Sequence, residues 1–192
     1  MRALAASGRG RKMHFMSVDE YVPEVAAATR RALEMLEQGA SQCEILPVLV
    51  RAAEKANGHR SVSSILVLDR QGLLRNGASP GLPEDYLEAI DGLKPDPMVG
   101  TCAAAAATGA VVLTPDFRAD EKWAELRHLP LALGYVGAWS HPIKSSDGSV
   151  LGTFGTYFRE QREPTAAERR NVEALAATAA AVIGHHQERG DD

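Results

Sequence analysis

Aromatic side chains are scarce in this chain: four Phe, four Tyr and two Trp make up 5% of its 192 residues. Where two of them gather, they point to an interior wall. Cysteine is scarcer still. Cys43 and Cys102 fall in different expected elements with no CxxC spacing, which excludes a disulfide framework or a thiolate zinc site and leaves reduced thiols. Neither sign of charge dominates, since 21 Lys and Arg against 25 Asp and Glu give a formal charge of -4. That balance excludes electrostatic steering toward nucleic acid or an anionic membrane. No apolar run approaches the roughly 20 residues that span a bilayer. The basic stretch Met1 to Lys12 lacks the apolar core of a signal peptide behind it. A cytoplasmic protein without nucleic-acid or membrane partners is expected.

A 45% hydrophobic content over this length suits one globular domain with a real core. Residues 1–16, rich in Arg, Gly and Ala without apolar periodicity, are expected to be a disordered arm, and 17–188 a single domain. Val18, Tyr21, Val22, Val25, Ala28, Ala32 and Leu36 recur at helical spacing, with Ser17 and Glu20 as a capping box and Gly39 as the stop. A second box, Ser41 with Glu44, opens a helix that ends at Asn57-Gly58. Strands are expected at Ser63 to Asp69 and Leu73 to Ala78, joined through Arg70-Gln71-Gly72. Short helices follow at Pro83 to Ile90 and Thr101 to Thr108, the latter closed by Gly109. Val111 to Leu113 is the third strand, and one or two short helices fall between Ala119 and Gly134. Ala138 to Ile143 and Val150 to Tyr157 form a hairpin through Asp147-Gly148. A third box, Thr165 with Glu168, opens a last helix running to about His186. Antiparallel strands with helices from both chain ends imply an α+β fold, the end helices on one sheet face and the short-helix segment on the other.

Several segments resemble GAF domains: the Gly100-Thr101-Cys102-Ala103 turn with its alanine-rich helix, Asp116, Trp123, and Ala138-Trp139-Ser140-His141-Pro142-Ile143. The likeness extends through Ser63 to Asp69 and Ala78 to Pro83 on one side, and through Asp147 to Phe154 and Pro164-Thr165 on the other. It covers about three quarters of the chain. The resemblance implies a central antiparallel sheet with a ligand cavity beneath the loops between the second and fourth strands. It also implies a sensing and signal-relaying role more readily than an enzymatic one.

The expected pocket wall comprises Leu82, Tyr86, Cys102, Ala105, Ala106, Trp123, Leu133, Trp139 and Ser140, because both tryptophans fall in the segment that should roof the sheet. Trp supplies a broad apolar wall and one N–H donor. Helix N-termini near Leu82-Pro83 and Gly100-Thr101-Cys102 expose backbone amides suited to an anion, and some GAF proteins are nitrate receptors. A nitrate-like anion is therefore the candidate ligand. Water or Ser79 and Thr101 could equally satisfy those helix ends, and both tryptophans could simply fill core.

Cys102 at a helix N-terminus suggests an acidified thiol, and its turn resembles that of the free methionine sulfoxide reductases. Those enzymes need a further cysteine in the segment equivalent to Thr114 to Trp139, where this chain has none. No catalytic or metal-binding residues are assigned and no cofactor is expected; a heme would have to be ligated by His128 or His141. Cyclic-nucleotide and bilin signatures are missing. With the sequence ending at Asp192, the expectation is a stand-alone sensor that homodimerises through its end helices or docks onto a sensor kinase or other regulatory protein. The alternatives are a thiol-dependent enzyme using Cys102 and a ligand-free interaction domain.

Overall fold

The computed structural model describes residues 22–190. Helix α1 spans Pro23–Glu37, α2 Gln42–Ala56, α3 Glu84–Ile90, α4 Thr101–Thr108, α5 His128–Ala132 and α6 Ala166–Arg189. The strands are β1 Ser61–Leu68, β2 Leu74–Ala78, β3 Val112–Thr114, β4 Gly137–Lys144 and β5 Val150–Phe158. All five join one antiparallel sheet in the order β2-β1-β5-β4-β3, so β5 is its middle strand. This is the expected α+β order. The Ser17–Glu20 capping box and Val18 and Tyr21 lie outside the described residues.

Local chemistry accounts for the boundaries. In the second and third capping boxes Ser41 N–H donates to Glu44 Oε2 at 2.9 Å and Thr165 N–H to Glu168 Oε2 at 2.7 Å. Helix α4 stops where Gly109 takes φ +60°, a left-handed conformation that costs glycine nothing, and its N–H returns to Ala105 O. The β1–β2 turn is tied by the Asp69 carboxylate, which accepts from the Gln71 and Leu73 amides.

Two apolar clusters lie on opposite faces of the sheet. Helices α1, α2 and α6 cover one face, burying Val25, Ile45, Leu49, Leu175 and Val182 against Ile65, Ile143, Phe154 and Phe158. On the other, α3, α4 and the 115–135 segment bury Leu82, Tyr86, Ile90, Phe117 and Trp123 against Leu66, Ala138 and Tyr157. The chain therefore divides its faces as the strand and helix order implies, with the short helices alone on the second face.

A hydroxyl row beneath α4

Successive strand residues point to opposite faces, and the two clusters fix which is which. On β4, Ala138 belongs to the short-helix face and Trp139 and Ile143 to the end-helix face; on β5, Tyr157 belongs to the first and Phe154 and Phe158 to the second. Ser64, Ser140, Thr153 and Gly155 share the short-helix face. Gly155 pairs with Ser64 on one side and with Ser140 on the other, so the three form one row across the middle of the sheet. With no side chain at Gly155, Cys102 of α4 descends into the row. A Cβ there would stand 2.9 Å from Cys102 Sγ and 3.0 Å from Ser64 Oγ. Only glycine allows that approach.

Ser64, Ser140 and Thr153 are each 0% exposed, and among the described residues their hydroxyls complete no hydrogen bond of ordinary geometry. Burial pushes the Cys102 thiol above its usual value, while the nearby Ser140 and Thr153 hydroxyls pull the other way without reversing it. The thiol is therefore neutral, although it stands near a helix N-terminus where acidification was the expectation. Burial likewise raises the Tyr86 and Tyr157 phenols. Tyr86 OH donates to Tyr157 OH at 3.1 Å, with the rings edge to face at 6.0 Å. These groups form a buried, polar and uncharged patch walled by Leu66, Ala103 and Ala106.

The N-terminus of α4 is held by a chain of hydrogen bonds. Trp123 Nε1–H donates to Thr101 Oγ1 at 2.9 Å, Thr101 donates to Thr114 at 3.3 Å, and Thr114 donates to Asp120 Oδ2 at 2.8 Å. Burial opposes the Asp120 charge, but the bonds from Lys122 and Thr114 outweigh it and hold the carboxyl below its ordinary value. Phe117 packs on Trp123 at 4.3 Å between ring centroids. Trp123 thus spends its only donor on Thr101, as a strut between α4 and the 3-10 turn Glu121–Trp123.

Of the expected pocket wall, Leu82, Tyr86, Cys102, Ala106 and Trp123 come together in the short-helix cluster, with Leu133 at its margin and Ser140 on its floor. Ala105 is fully buried in α4. Trp139 does not join them. It neighbours Ser140 on β4 and faces the end helices, where it borders a cavity of about 20 Å³ with Ser63, Thr156, Asn171 and Val172. That volume suits one water molecule, and among the described residues Trp139 Nε1 has no partner. His141, on the same face as Trp139, is held below its usual pKa by burial, with Glu173 of α6 opposing. His128 is exposed. Neither histidine stands in the short-helix cluster. Among the described residues no three His, Cys, Asp or Glu side chains converge as a metal site.

Ser64, Thr153, Gly155 and Tyr157 were not among the expected site residues. The signal available was strand parity: each shares the face of Ala138 and Ser140.

A five-stranded antiparallel sheet with end helices on one face and short helices over the other is the GAF architecture. The GAF domain model of the GAF_2 type matches residues 39–184, and the chain belongs to that family. It is 35% identical over 165 residues to the methyl sulfide methyltransferase-associated sensor of Methanosarcina acetivorans, covering 85% of this chain. The match spans 16% of that relative's length. Solved structures of other proteins share the fold. The GAF domain of a phosphoenolpyruvate-protein phosphotransferase from Coxiella burnetii superposes with a TM-score of 0.68 at 19% identity, over 87% of this chain and 96% of that one. The free methionine-R-sulfoxide reductase from Neisseria meningitidis, in complex with its substrate, gives 0.67 at 14% identity over 98% and 99%. No helix among the described residues is long and apolar enough to cross a membrane.

Proposed function

We propose that this chain is a small-molecule-sensing GAF module that holds its ligand on the short-helix face, over the Ser64–Gly155–Ser140 row, and relays occupancy to a signalling partner. The observation that carries this reading is the group of three fully buried hydroxyls on the sheet floor beneath α4, which approach only the Cys102 thiol and the Tyr157 phenol and complete no ordinary hydrogen bond with them. Buried polar groups ordinarily find partners, so a ligand that supplies them gains binding energy at once. The sensor name of the Methanosarcina relative supports the same role. In this reading α1 and α6 form the output surface, through a homodimer or by docking onto a sensor kinase or other regulatory protein.

A thiol-dependent reductase has weaker support. Cys102 is buried with its pKa raised, and the second thiol, Cys43, is exposed on α2, across the sheet. Thermal unfolding against a panel of nitrate, nitrite, cyclic nucleotides, free methionine sulfoxide and small neutral polar molecules tests the sensor reading. A ligand at 100 times its Kd adds about 2.7 kcal/mol, so saturable stabilisation by at least one compound is the expected outcome. A flat response across the panel would favour a ligand-free interaction domain.

A further inference from the structure

We propose that the site takes a small uncharged molecule with hydrogen-bonding oxygen or nitrogen, held by the Ser64, Ser140 and Thr153 hydroxyls, and not an anion. This rests on the sensor reading above and names its ligand class. Among the described residues no Asp, Glu, Lys or Arg is buried. Charged groups around this face have partners of their own: Glu54 Oε1 accepts from Ser63 N–H at 2.9 Å, Asp120 and Lys122 pair at 2.7 Å beyond Thr114, and Arg159 lies over the Tyr135 ring and donates from Nη1 to Leu133 O. An ion entering this patch would lose its water and meet no countercharge, a cost that neutral hydroxyls do not repay.

The helix ends that suggested an anion offer it less than their position implies. Helix α3 carries Glu84 and Asp85 in its first turn, which repel a negative ligand. At the start of α4, the Gly100 N–H is already used by Lys122 O at 2.7 Å. The hydroxyls have the opposite character. Each can donate and accept, and the sulfur that Ser140 and Thr153 approach is a weak acceptor. A carbonyl, amide or hydroxyl would be a better partner for all three. Size is limited as well, because Cys102 Sγ now lies over Gly155 and the ligand reaches the row only as that side chain turns aside.

Matched probes of similar shape and different charge test the class: acetamide against acetate, nitromethane against nitrate, and methanol against methylammonium. The readout is saturable stabilisation of the full chain, repeated in Ser140→Ala and Thr153→Val. The expected result is saturation by at least one neutral member, weakened about tenfold in either variant, with no saturation by its charged counterpart. Should a variant not melt cooperatively, protection of Cys102 from a neutral thiol reagent by the same probe, in Cys43→Ser, replaces it, and protection is expected. Tighter saturable binding of acetate or nitrate than of its neutral counterpart overturns the neutral class and leaves the sensor reading standing. Failure of every neutral probe to saturate or protect overturns the proposal; only a silent wider panel overturns the sensor reading too.

Discussion

Ser64 and Ser140 lie on either side of Gly155, each paired with it across the sheet, and both present fully buried hydroxyls to the face that α4 covers. The gap that the glycine leaves between them is where Cys102 descends. The candidate site and the packing are therefore the same feature. Changes to either hydroxyl alter the chemistry of the floor, and changes to the glycine alter its depth.

Gly155→Ala is expected to destabilise the protein by about 1–3 kcal/mol, the usual cost of overpacking a core. The new methyl would meet Cys102 Sγ at 2.9 Å and Ser64 Oγ at 3.0 Å, so one of them must move. Urea unfolding measures the loss, and any saturable ligand should bind more weakly in the variant. An unchanged midpoint would mean that α4 is not seated on this row.

The two tryptophans should respond differently to the same substitution. Trp123→Phe removes the donor to Thr101 and leaves a buried hydroxyl short of a partner, a loss of about 1–3 kcal/mol. Trp139→Phe empties a similar buried ring volume but removes an N–H that has no partner among the described residues, so its cost should be the smaller of the two. Equal losses would contradict the hydrogen-bond chain from Trp123 to Asp120.

Stability should fall at both ends of the pH range. The Asp120 and Glu168 carboxyls are held below their ordinary values: burial opposes each charge, but bonds from Lys122 and Thr114 to Asp120, and from Arg162 and Thr165 to Glu168, outweigh it. Depressed folded pKa values mean that this stability is present above the unfolded values, near 4, and is lost as pH drops through the folded ones. Glu168→Gln should lower stability at neutral pH and flatten the acid limb. The raised Cys102, Tyr86 and Tyr157 values act in reverse. Their contribution is complete below the unfolded values, about 8.5 for a thiol and 10 for a phenol, and declines as pH rises beyond them. Denaturant midpoints from pH 2 to 11 record both limbs.

Thiol labelling should be biphasic. Cys43 is exposed and Cys102 buried, and the thiolate is the reactive form. A fast phase that disappears in Cys43→Ser, with a slow one limited by opening of α4, is expected at neutral pH. Two fast phases would restore a reactive Cys102.

The frame of the fold was legible because its signals are local. The Ser41–Glu44 and Thr165–Glu168 boxes and the Thr101–Thr108 helix with its Gly109 stop depend on a few neighbouring residues, and each stands where those residues put it. The candidate site was half legible. Leu82, Tyr86, Cys102 and Trp123 converge as expected, but Trp139 and Ser140 were assigned to one wall, which neighbouring strand residues cannot share. Once Ser140 faces α4, Trp139 must face α6. Strand parity could put Ser64, Thr153 and Ser140 on one face, but not side by side in a row. Only the cross-strand register brings Ser64, Gly155 and Ser140 together.

The central claim, a small-ligand site on this row, is tested most directly by thermal unfolding of the wild type and the Ser140→Ala/Thr153→Val double variant across the neutral and charged probes. The account predicts a saturable rise in Tm with a neutral probe for the wild type and none for the variant while both melt cooperatively. An equal rise in both proteins would place the ligand elsewhere and contradict it.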